Sequence, residues 1–348
     1  MGIPFISKSC LVAASALLAS GVFADSLSPS GIAGACPIGL TSPHSSTGYK
    51  KYYWVDLQPT SGTEYNWSDI DAQIAIAAAN NKKFIVLLNL NSGNPSNGIA
   101  ALPAWLINAG AKAYPLVGGH GDPLYQFLPW DPVWQSNALA FIAAFCDRYD
   151  GQLASVSMGG LGSSTEMHMP EVFPYPDGKD INAASAAWII SSNTIIAQYA
   201  AHLTRTPFVA ALAVPFAGTV GTTALQSVVD TSLSLYGSRI GFENWGLNAE
   251  SSTGYLPNSI IYDHRLTNPV GFQMTGNATT GGGGDLQGTL REAMEAGVAM
   301  GAQYLQVYGD DVANPAYAKD LDAVAAELLP PPNHTPTPTP TPRKRHRH

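Results

Sequence analysis

Cysteine is scarce: the 348 residues hold three, at positions 10, 36 and 146. None stands with histidine at the spacing of a zinc site, so no metal centre is expected. No Gly-x-Gly-x-x-Gly follows an early strand, which removes support for a nucleotide-binding open sheet. The glycine run 281–284 follows a late strand without a Lys or Ser/Thr signature, and reads as a flexible loop. Basic charge is also short, with 17 Lys and Arg against 25 Asp and Glu. Five of the basic residues lie at the chain ends: Lys8, Arg343, Lys344, Arg345 and Arg347. Without them 12 basic residues face 25 acidic ones, a charge near −13. Nucleic-acid binders carry a basic footprint, so that class is excluded, and polyanionic partners are disfavoured.

Both ends read as something other than fold. Lys8 followed by an apolar, Ala-rich stretch over 10–23 and small residues before Asp25 fits an export signal over residues 1–24. The apolar stretch is too short for a convincing spanning helix. A secreted, periplasmic or cell-surface location is expected. Export permits a disulfide, and only Cys36 and Cys146 would remain to form it. A Cys36–Cys146 bridge and two buried thiols are equally open, because sequence does not supply the geometry. Residues 330–348 are a Pro/Thr spacer with a basic tip. The tip is either a solvated tail or a weak contact to an anionic cell surface. Asn66, Asn277 and Asn333 open glycosylation sequons, Asn66 a doubtful one because Trp67 reads as core.

Between these ends, over residues 25–329, short apolar runs alternate with helical patterns. Strands are predicted at 52–57, 84–90, 154–159, 208–214, 240–244, 270–274 and 304–308, with an irregular one around 37–41 as the first of eight. Helices are predicted at 68–80, with Ser68 as N-cap, and at 132–149, 184–203 and 286–300. Strand–helix alternation implies parallel strands with crossover helices. The length suits one (β/α)8 TIM barrel with insertions.

One stretch stands out within this pattern. From Leu153 to His168 an apolar run passes through small residues and ends on Glu166. In a barrel, a reactive side chain at the carboxyl end of a strand lies in the active-site mouth.

The order of motifs adds to this. Tyr52 to Pro59, then Gly62 to Asp71, then a helix and the strand from Phe84, resembles the early barrel of clan A glycoside hydrolases. The likeness is greatest to the family 42 β-galactosidases and related secreted barrels. Leu102 to Leu106, Pro129 to Pro132, Arg148 to Gly151 and Leu305 to Tyr308 resemble later segments of the same pattern, which covers most of residues 50–310. The resemblance implies that Glu166 is the acid/base at the end of strand four. It implies a nucleophilic glutamate at the end of strand seven, where this sequence has Gln273. Gln58 and Gln306 also stand where glutamate is expected. A neutral amide cannot form the glycosyl ester that a carboxylate forms.

Glycoside cleavage needs two carboxyl groups and no cofactor. Glu166 is the first candidate, since Met167 and Met169 would desolvate it and hold its proton. An ion-paired loop carboxylate is the alternative. Glu243, in a Gly-Phe-Glu that parallels Gly-Phe-Gln around Gln273, is the second candidate. Counted on strand six it would assist a water; one strand out, it would be the nucleophile; a structural carboxylate is equally open. Asp310 and Asp311 are a third option, better read as a helix-capping loop. Trp54, Trp130 and Trp245 are candidate platforms for sugar faces. Trp105 and Trp134 read as core. His168, Asn244 and Gln273 are candidate hydroxyl ligands. The expected function is a glycoside hydrolase acting on a neutral oligo- or polysaccharide. Gln273 supports the alternative, a non-catalytic glycan-binding barrel.

Overall fold

A computed structural model describes residues 28–92, 102–117, 123–163, 166–169 and 175–332. The export segment 1–24, the sequon at Asn333 and the basic tip lie outside the described residues. Ten strands are present among the described residues: β1 (Gly31–Ala35), β2 (Thr47–Tyr53), β3 (Lys83–Asn89), β4 (Ala113–Val117), β5 (Pro123–Phe127), β6 (Ser155–Ser157), β7 (Phe208–Ala211), β8 (Ile240–Leu247), β9 (Val270–Met274) and β10 (Tyr304–Val307). Eight of them close a parallel barrel in the order β1-β10-β9-β8-β7-β6-β3-β2, and β4-β5 form a separate antiparallel hairpin. The chain is a (β/α)8 TIM barrel.

The helices are α1 (Ile38–Thr41), α2 (Trp54–Leu57), α3 (Ser68–Ala79), α4 (Ala104–Asn108), α5 (Pro132–Tyr149), α6 (Ile181–His202), α7 (Gly218–Tyr236), α8 (Asn258–His264), α9 (Leu290–Ala299), α10 (Gly309–Ala313) and α11 (Ala318–Glu327). Three of the long ones start on side-chain caps. Asp131 accepts from the Val133 and Trp134 amides, with Pro132 opening α5. Asp180 caps α6 through the Ala183 amide. Thr289 and Glu292 form a reciprocal capping box at α9.

Several expectations are corrected. The first barrel strand is β1, and residues 37–41 form a helical turn instead, after a cis Cys36–Pro37 bond. The second strand spans Thr47–Tyr53, and Trp54 already begins a helical turn. Ser68 is not the N-cap of α3; Trp67 holds that position without a side-chain bond, and the Ser68 hydroxyl donates to Asn66 Oδ1. The glycine run enters a short 3-10 turn, Gly282–Leu286. Cys36 and Cys146 are both free thiols. Helix α7 was not anticipated: Gly218, Ser, Thr and Val fill it and no side chain caps it. Those residues are poor helix formers, and packing of α7 on α6 decides the outcome.

The register sets what lies inside the barrel. Followed once round from Ala33, the strand pairing returns eight residues lower, a shear of eight. Residues at one height therefore advance by one position per strand. Inward side chains then stack in layers drawn from alternate strands. Tyr49, Ser157, Glu243 and Gln306 form one layer. Ala35, Leu87, Ala211 and Gln273 form the next towards the carboxyl ends. Above them come Lys51, Trp245 and Tyr308.

Space in these layers is tight at Gly271. A Cβ there would sit 2.3–2.5 Å from three ring atoms of Tyr304. Gly271→Ala should lower the unfolding free energy by about 1–3 kcal/mol through overpacking. A urea titration would show this as a lower midpoint; an unchanged midpoint would mean that Tyr304 moves aside freely.

Candidate active site

The fourth strand does not simply end at the mouth. After Ser157 the chain leaves the barrel through Gly159 and Gly160, then returns so that Glu166 bridges Ala211 in parallel register. Both the exit and the return demand glycine. A Cβ on Gly159 would lie 2.2 Å from the Leu88 carbonyl oxygen, and one on Gly162 would lie 2.5 Å from that of Glu166. The Met167 amide donates to the Ala211 carbonyl at 3.0 Å and fixes the return. Glu166 thus takes the strand-four place in the top layer, with Lys51, Trp245 and Tyr308.

Ala211 pairs with Glu166 on one side and with Glu243 on the other. Two strand spacings separate the carboxylate-bearing residues, about 10 Å between their Cα atoms. Glu243 lies on the sixth barrel strand, so the strand count behind Gln273 as the strand-seven residue stands.

Glu166 is half-buried. Burial raises its pKa above the ordinary carboxyl range; Lys51 opposes the shift and Glu243 reinforces it. Glu243 is 0 % exposed. Its Oε1 accepts from the Ser157 hydroxyl, in a very short contact, and from Trp245 Nε1 at 3.0 Å. Its Oε2 accepts from the Tyr304 hydroxyl at 2.7 Å and from Gln306 Nε2 at 2.8 Å. Burial raises the Glu243 pKa, and these four donors pull against the rise.

Lys51 crosses the mouth from β2 towards β8, which stands opposite it in the barrel. Its ammonium lies 4.6 Å from the centre of a Trp245 ring. Burial lowers the Lys51 pKa, and Glu166 opposes that shift. Lys51 is the main residue missed by sequence reasoning. A second strand begun at residue 52 excluded it, whereas a strand from Thr47 puts 49, 51 and 53 on one face.

The other predicted site residues divide. Gln273 is half-buried, points inward and hydrogen-bonds the Tyr49 side chain. Trp245 is inward but 8 % exposed, with its N–H committed to Glu243 and Lys51 over a ring, which leaves it little free face for a sugar. Trp54 is corrected to core. It is 1 % exposed, packs edge-on against Trp105 and Trp134, and donates to Gln58 Oε1. Gln58 is thereby placed under the outer helices, away from the mouth.

Asn244 is also corrected. It alternates to the outer face of β8, where its amide donates to the Leu212 carbonyl and accepts from the Gly246 amide. Trp130 is half-buried, edge-on to Tyr175, and donates to Asp177 at 2.8 Å. His168 is exposed and lines a shallow cavity of about 420 Å³ with Val214, Phe216, Thr219 and Thr222. Asp311 is buried and accepts from the Ala278 and Thr279 amides, so it ties a loop. Gln306 Oε1 has no partner. Among the described residues, no group of three or more His, Cys, Asp or Glu could hold a metal.

Comparison with known proteins supports the architecture. No family model matches the chain, and neither does any curated protein. The catalytic domain of a β-amylase from Paenibacillus polymyxa superposes with a TM-score of 0.57 at 10% identity, over 86% of this chain and 99% of that one. A thermostable mutant of a xylanase from Cellvibrio japonicus superposes with a TM-score of 0.50 at 12% identity, over 83% of this chain and 89% of that one. At such identities the likeness shows a common fold: the chain shares its barrel architecture with these two proteins.

The raised pKa of Glu166 ties stability to pH. A carboxyl lifted above its unfolded value contributes stability that is complete below the ordinary glutamate pKa of 4.5 and is lost as pH rises through the raised value. Denaturant unfolding followed from about pH 4 to about pH 8 should show the native protein losing more stability than Glu166→Gln. Parallel curves would mean that Glu166 is solvated.

Proposed function

We propose that this protein is a glycoside hydrolase acting on a neutral oligo- or polysaccharide, with Glu166 as general acid/base and Glu243 as the second carboxylate. One observation carries the reading: a half-buried carboxyl with a raised pKa returns to the barrel mouth two strand spacings from a second inward carboxylate, with Ala211 between them. A carboxyl that holds its proton more tightly than a solvated one suits protonation of a leaving glycosidic oxygen. The donors around Glu243 oppose the rise that burial imposes and so work towards its anion, the form that attacks a sugar carbon or activates water. For either step one donor must move off a carboxylate oxygen to free its lone pair, and Trp245 lies nearest the mouth. The net acidity of the core fits a neutral substrate.

Export places that substrate outside the cytoplasm. The reading takes residues 1–24 as a cleaved signal, 25–329 as the catalytic barrel and 330–348 as a Pro/Thr spacer whose basic tip touches an anionic surface weakly.

A second reading, a glycan-binding barrel without turnover, is favoured by two specific observations. Gln273 stands at the strand-seven position, and all four donors around Glu243 are engaged while it is sealed from solvent. Reducing-sugar release from a broad panel of neutral glycans separates the two. Hydrolysis that Glu166→Gln and Glu243→Gln each reduce by about a hundredfold or more supports the hydrolase. Glycan binding with no release supports the second reading.

A further inference from the structure

The top layer of the barrel contains a cation that the carboxylate chemistry does not itself require. Lys51 enters from β2, and β8 is the strand diametrically opposite in the closed order. The side chain therefore extends across the mouth, and its ammonium rests 4.6 Å from the centre of a Trp245 ring. Such a seat attracts the ammonium to the ring face, the more strongly as water is excluded. The same indole donates its N–H to Glu243 Oε1 at 3.0 Å. Glu166 shares the layer and interacts electrostatically with Lys51. One aromatic side chain thus links the cation that shares a layer with the upper carboxylate to the lower carboxylate.

We propose that Lys51 is the positioning residue for Glu166: held across the mouth on the Trp245 ring, its ammonium is the counter-charge towards which the Glu166 carboxyl of the same layer is set. The inference rests on Glu166 being the acid/base of the reaction proposed above. Its charge logic is simple. Among the described residues, burial and Glu243 favour the protonated acid, and Lys51 favours the carboxylate. Those facing groups are Lys51 from β2 and Glu243 from β8. Among the described residues Tyr49 and Tyr53 from β2, Tyr304 from β10 and Tyr308 above it add phenols to the lining. Burial raises the pKa of all four, so they stay neutral while Glu166 titrates.

Glu166 is read directly, without reference to turnover, by carboxyl carbon NMR of protein labelled at the glutamate side chains, with the signal assigned by its loss in Glu166→Gln. Lys51→Met should raise the Glu166 midpoint by at least about one pH unit, a tenfold change in proton affinity. Lys51→Arg, which keeps the charge, should restore most of it. Trp245→Phe keeps a ring but loses the N–H, and should shift Glu166 less than Lys51→Met does. An unmoved midpoint in Lys51→Met, or Lys51→Arg shifted as far as Lys51→Met, would overturn the proposal. If Lys51→Met does not fold, the Arg and Phe variants still decide: a Glu166 midpoint displaced further by Lys51→Arg than by Trp245→Phe counts against it. The two readings fail separately. Absence of hydrolysis with the midpoint moved removes the hydrolase and leaves the positioning role. Hydrolysis with the midpoint unmoved removes the positioning role alone.

Discussion

A carboxylate enclosed in a barrel must find its hydrogen bonds among the inward side chains, because no water reaches it. Glu243 occupies that situation. Leaving such a charge unpaired would cost several kcal/mol. Its layer supplies Ser157 and Gln306, Tyr304 reaches up from two layers beneath, and the mouth supplies Trp245. The shear of eight brings these four from three different strands to one point. Gly271 is part of the same arrangement, since only a missing side chain leaves room for the Tyr304 ring. Packing, register and polar satisfaction are thus one constraint seen from three sides.

The mouth is built on top of this hub. Trp245 is held from below by its bond to Glu243, and its ring then gives Lys51 a place to rest. The fourth strand contributes through an excursion: two glycines let the chain leave and come back, and Glu166 lands beside Ala211. The upper carboxylate is half-buried and electrostatically tuned; the lower one is sealed and fully bonded. Gln273, on the layer between them, contributes an amide to Tyr49 where a third carboxylate would have crowded two like charges.

Much of the barrel could be read from the chain because buried parallel strands are apolar runs with crossover helices between them. The strand 270–274 and the helix 132–149 were placed to the residue, the latter because Asp131 and Pro132 mark its start. The misses share a cause. Strand β1 is Gly- and Ala-rich and carries little hydrophobic signal, so the neighbouring Pro37 segment was taken in its place. The aromatic run through Trp54 looked like strand, but the chain turns at Tyr53 and buries Trp54 under α5. A strand read from residue 52 through Trp54 leaves Lys51 out and puts Trp54 in the site.

The sequence by itself determined the class of fold, the strand-end position of Glu166, and the amide in place of a carboxylate at Gln273. These follow from local pattern and chain order, which need no knowledge of distance. Only the tertiary structure decided that Glu243 lies beneath the mouth, that Asn244 faces outward, and that Lys51 reaches Trp245 across the barrel. Each of those depends on the register of closure, and a change of one residue in register sends every side chain of a strand to the opposite face. Register is set by all eight strands together, so no single segment of the chain carries it.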